Sequence, residues 1–167
     1  MSDARVDVFA ISAATTPGLR DAIGSVCVHW ALLEFVVERV IAFQTRQSIE
    51  VTYERDFGGN MAFLEKYLKD NPGLGPVLVE EWVSLIKEGR RLAKERHRIV
   101  HGLWHVEGDT IISFFPELKS KGRKIDAEQR MTVEGIHEFK RSLFKLGRLW
   151  AQFASPSDEA KLKWSIA

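Results

Sequence analysis

Arginine and histidine side chains can between them handle a phosphodiester. A guanidinium grips phosphate oxygens in its planar fork, and an imidazole moves protons near neutral pH. Both types stand in one stretch of this chain, Glu95-Arg96-His97-Arg98-Ile99-Val100-His101-Gly102-Leu103-Trp104. The stretch ends a long helical pattern whose apolar stripe runs Leu78, Trp82, Leu85, Gly89, Leu92, Ala93, Val100, Leu103. On a wheel of roughly 100° per residue these fall within about 60° of Arg96, so the arginine occupies the middle of the core-facing stripe. His97 and His101 lie about 100° and 140° round, on the flank. A cation on an apolar stripe is costly unless paired, and such broken rules mark functional or strained sites.

Two accounts fit this arrangement. In one, Arg96 and His101 form a phosphodiester site, with His97 and Arg98 supporting it. In the other, Arg96 pairs with a buried carboxylate and the histidines are surface polar groups. Glu34 supplies a candidate carboxylate, since it stands within the apolar stripe of the first helix, four residues after Trp30 and three before Val37. A Glu34–Arg96 pair also suits the first account, because an orienting carboxylate holds a catalytic cation in place.

Other chemistries find less support. His97 and His101, four apart, can ligate a metal from one helix face. Position 98 is arginine, so the His-Glu-x-x-His pattern is missing and a second cation is disfavoured; no metal or cofactor is expected. Trp104 has the shape to stack on a base, or to pack in the core. His105, His29 and His137 are read as structural or mute. There is no Gly-x-Ser-x-Gly nucleophile elbow and no phosphate-cradling Gly-x-x-x-x-Gly-Lys.

The elements that must position these residues are mostly helices. Residues 1–15 are expected to form an arm. Thr16-Pro17 reads as N-cap and first helical residue, opening a helix to about residue 47. Between Val26 and Val37 ten of twelve residues are apolar, so this helix is expected to be covered on more than one side, in part by a second chain. Residues 48–57 read as irregular and Gly58-Gly59-Asn60 as a break. A short helix from Met61 to about Lys69 follows, ended by Asn71-Pro72-Gly73, then the central helix over about 76–102. After Gly102 the period changes to that of a β-hairpin, Leu103–Glu107 and Thr110–Phe115 about Gly108-Asp109, ended by Pro116. Residues 119–124 read as a basic loop, with a third short strand near Gln129–Thr132. The last long helix starts at Thr132 and stops at Ser155-Pro156, with Ile136, Phe139, Leu143, Leu146, Trp150 and Phe153 facing inward. Residues 157–164 add a turn or two that docks Leu162 and Trp164. The fold class expected is mainly α: an antiparallel bundle of about four helices, one domain over 1–167, with residues 103–131 inserted after the central helix.

Composition sets the outer bounds. The chain has 167 residues, enough for one domain with a proper core. Net charge is only +1, so any polyanion must bind a local patch, of which the basic second half of the central helix is the candidate. Cys27 is the single cysteine, which excludes an intrachain disulfide and a Cys-rich zinc site. Asp3, Arg5 and Asp7 precede any apolar run, and no stretch of about 18 apolar residues occurs. The expectation is a cytoplasmic protein with no membrane contact.

The pattern Arg96-His97-Arg98-Ile99-Val100-His101 near the end of a long helix resembles the HEPN superfamily, the "higher eukaryotes and prokaryotes nucleotide-binding" domain. Val100-His101-Gly102 and the upstream Trp30-Ala31-Leu32-Leu33-Glu34 are similar to many bacterial members. The resemblance covers most of the chain as helix order and about a dozen residues as motif. It implies a helical homodimer in which two motif helices share a cleft. It also implies a metal-independent ribonuclease of toxin–antitoxin or phage-defence type, with RNA as substrate and an antitoxin or nucleotidyltransferase as partner. Arg96 would stabilise the scissile phosphate and His101 would act as general acid or base. The residue after the arginine is commonly Asn in the family, and here it is His97. Other members have no nuclease activity and serve as dimeric interaction or ligand-sensing modules.

Overall fold

The computed structural model describes residues 16–107, 110–119 and 122–154. The chain is mainly helical. Its described helices are α1 (Pro17–Thr45), α2 (Ile49–Tyr53), α3 (Phe57–Asp70), α4 (Pro76–His101) and α5 (Val133–Ala151). Between α4 and α5 run β1 (Leu103–Glu107), β2 (Thr110–Lys119) and β3 (Gly122–Met131), an antiparallel sheet in the order β1-β2-β3. The N-terminal arm, the Gly108-Asp109 turn, Lys121 and the docking of Leu162 and Trp164 lie outside the described residues.

The helix ends follow from side chains that meet otherwise unbonded backbone groups. Thr16 caps α1, its Oγ1 accepting from Leu19 N at 3.3 Å. Arg46, with φ 56° in the left-handed region, follows the last residue of the helix. Thr132 caps α5 in the same way, accepting from Gly135 N at 3.0 Å. Two expectations fail here. Residues 49–53, read as irregular, form α2, and the Gly58-Gly59 break lies inside α3. The reason is Asp56, whose Oδ1 accepts from Gly59 N at 2.6 Å. With the cap one residue before Phe57, the glycines fall in the first turn, where the Gly59 amide meets the cap and their low propensity costs least. At the other end Asn71 Nδ2 donates to Tyr67 O at 2.8 Å.

The strands run further than the sequence implied. Pro116 does not end β2, which continues to Lys119, and β3 begins at Gly122 instead of near Gln129. β1 pairs with β2 only as far as Leu103 opposite Phe114. Beyond that point β2 is hydrogen-bonded to β3 alone, with Pro116 opposite Ile125. A proline is tolerated in such a stretch, where the strand has a ladder on one side only. A register shift between Ser113 and Phe115 separates the two stretches.

Contacts group the chain into two compact units, each treated by itself. One comprises residues to Cys27 with Glu95–Lys140, the other Val28–Lys94 with residues from Arg141 onward. In the second, Trp30 meets Phe57 at 4.7 Å between ring centroids, and Trp82 meets Trp150 and Phe153 edge-on at 6.2 and 5.7 Å. Gly89 lets α4 approach Phe57, since a Cβ there would lie 3.0 Å from the ring's Cζ. Arg90 pairs in bidentate fashion with Glu65, Nη2 to Oε2 at 2.9 Å, linking α4 to α3. Tyr67 Oη donates to Gln44 O, and Gln44 Nε2 donates to Phe153 O at 2.7 Å. In the first unit, Leu19, Ala22, Val26, Ile99, Trp104, Ile136 and Phe139 are buried. Among the described residues no helix is long and apolar enough to cross a membrane.

Candidate active site

The last turns of α4 carry Arg96, His97, Arg98 and His101, all within the first unit. The helix buries Leu85, Ile86, Leu92 and Ile99, and Arg96 stands four residues after Leu92 and three before Ile99. That is a core-stripe position, and Arg96 is half-buried there with its Nε atom shielded from solvent. Burial of Nε limits where the guanidinium head can go. Its Nη1 lies 3.4 Å from His101 Nε2. An arginine has only donors, so this contact is a hydrogen bond when Nε2 carries no proton and Nδ1 does. The geometry therefore matches an imidazole with its Nε2 lone pair turned towards a cation.

His97 and His101 are both exposed, and their rings meet at 4.8 Å between centroids, inclined by 57°. Burial, then the neighbouring charge of His101, then that of Arg96, hold the His97 imidazole below the ordinary histidine range. Arg98 is exposed one residue further on. Among the described residues no group of three or more His, Cys, Asp or Glu stands together as a metal donor set.

Trp104 takes a different place from a base-stacking residue. It is 5% exposed, and its indole N–H donates to Ile99 O at 3.0 Å. Ile99 supplies one of the last four carbonyls of α4, which have no partner within the helix. The next amide bond, Gly102 N to Arg98 O at 2.9 Å, completes the final turn. Trp104 therefore fastens the end of the helix from which His97 and His101 project. Its buried ring is not presented to a nucleotide.

Glu34 belongs to the other unit. It is half-buried on α1, one turn before Glu38. Burial, with Glu34's charge second, pushes the Glu38 carboxyl up to about 7. Glu38 went unnoticed in the sequence, where its signal was a second carboxylate at i+4 on a largely apolar helix. Ile99 was missed as a core residue because Val100 was assigned its place; Ile99 is fully buried and Val100 only half.

No protein-family model, curated protein or solved structure matches this chain.

Proposed function

We propose that the chain is a metal-independent endoribonuclease acting as a homodimer, in a toxin–antitoxin or phage-defence setting. The observation that carries the reading is the Arg96 Nη1–His101 Nε2 approach of 3.4 Å at an exposed helix end. It sets a phosphate-binding cation beside a proton carrier, and RNA brings its own nucleophile. The scissile phosphate takes the guanidinium fork, the 2′-hydroxyl attacks in line, and Arg96 stabilises the charge on the pentacoordinate phosphorus. His101 moves a proton. The products are a 2′,3′-cyclic phosphate and a 5′-hydroxyl, and no step asks for a metal.

A dimer of helical bundles suits the exposed apolar side chains of the second unit, among them Val28 (59% exposed) on α1 and Val83 (51%) on α4. The resemblance to the HEPN superfamily points the same way and adds an antitoxin or nucleotidyltransferase as the partner class. The reading is tested with RNA carrying a single 2′-deoxy nucleotide at the cleavage position. Loss of cleavage at that position alone, with cyclic phosphate at the remaining sites, supports 2′-hydroxyl attack. Continued cleavage there overturns it.

A further inference from the structure

From the His97–His101 contact we propose that the two imidazoles of one motif helix form a complete acid–base pair, with His97 the general base and His101 the general acid. The inference rests on the ribonuclease reading and goes beyond it by giving one chain both proton-transfer groups. An asparagine at position 97 hydrogen-bonds but cannot carry a proton, whereas His97 can.

The geometry favours a division of labour. The rings are 4.8 Å apart and both are exposed at the end of α4, so one phosphodiester can reach both. In-line transesterification needs a base at the 2′-oxygen and an acid at the departing 5′-oxygen. His97 sits where burial and two cationic neighbours disfavour its protonated form, which suits a base at neutral pH. His101 Nε2 faces the Arg96 guanidinium. When the phosphate occupies that fork, Nε2 is released to hold a proton. The step then balances. His97 takes the 2′-hydroxyl proton as the O2′–phosphorus bond forms. The phosphorus–O5′ bond breaks and His101 gives its proton to O5′. Water returns a proton to His101 and removes one from His97.

The test compares two substrates: a cleavable RNA, and the same RNA with sulfur in place of the scissile 5′-oxygen. A thiolate departs without being protonated, so the sulfur substrate needs no general acid. On ordinary RNA, His97→Asn and His101→Asn are each expected to slow cleavage by about 10²–10⁴-fold. On the sulfur substrate His101→Asn should return to within about tenfold of wild type, while His97→Asn stays slow. Added imidazole should partly restore His97→Ala. A His97→Asn protein that matches wild type on both substrates, beside an inactive His101→Asn, overturns the pair and leaves the ribonuclease reading standing. Rescue of the His97 variant by sulfur, in place of the His101 variant, overturns the assignment of roles. A wild-type protein inert on both substrates removes the ribonuclease reading and this inference with it.

Discussion

Trp104 is buried and fastens the end of the helix that carries the motif. Its indole bonds to a helix-terminal carbonyl that has no other partner within the helix. Trp104→Phe keeps most of the buried ring and removes the donor. It is expected to lower stability by about 1 kcal/mol, the usual net worth of such a bond, in urea denaturation. Because the ring is buried, the variant should still cleave RNA. A large loss of cleavage at unchanged stability would return Trp104 to the substrate. The half-buried place of Arg96 was legible from the sequence, because a cation on an apolar stripe breaks a rule that periodicity makes visible. Trp104's role was not. Its bond to Ile99 spans the junction of helix and strand, where neither period applies.

The helices show why some boundaries could be read and others not. On α5 the expected inner-face residues Ile136, Phe139, Leu143, Leu146 and Trp150 are buried, since one 3.6-residue period governs them, whereas Phe153, expected with them, lies past the helix end at Ala151 and is half-buried. At α3 the local signals conflict, and the Asp56 cap outweighs two glycines. At Pro116 the decisive fact is which neighbour strand is present, and that is tertiary information. Two substitutions probe the helices. Gly89→Ala gains helix propensity of about 0.5–1 kcal/mol but presses a methyl against the Phe57 ring, which is itself held by Trp30. Overpacking of this kind typically costs about 1–3 kcal/mol, so a net loss of about 1 kcal/mol is expected in the same urea assay. Glu38 on α1 gives a pH-dependent case. Its folded-state carboxyl is raised from 4.5 to about 7, so its contribution to stability is complete below 4.5 and lost as pH rises through 7. Glu38→Gln, which stays neutral, should therefore melt above wild type at pH 8, with the gap closing towards pH 4.5. An equal gap at both pH values would contradict the burial of that carboxyl.

For the whole molecule, a net charge of +1 means that the proposed RNA affinity must rest on a local patch. If Arg96 and Arg98 are the phosphate contacts of one protomer, the log–log slope of single-stranded RNA affinity against salt should be roughly −1.4. A slope several times steeper would assign the basic run Lys87, Arg90, Arg91, Lys94 to the interface as well. The mainly helical class was legible from length and periodicity, whereas the division of contacts into two units was not, because it depends on which distant segments meet. The central claim is that Arg96 and His101 cleave RNA without metal. Its most direct test is RNA cleavage by purified wild-type protein and His101→Ala side by side in excess EDTA. Cleavage by the wild type alone, leaving 2′,3′-cyclic phosphate ends, is the expected result. Equal cleavage by both, or loss of wild-type activity to the chelator, would contradict it.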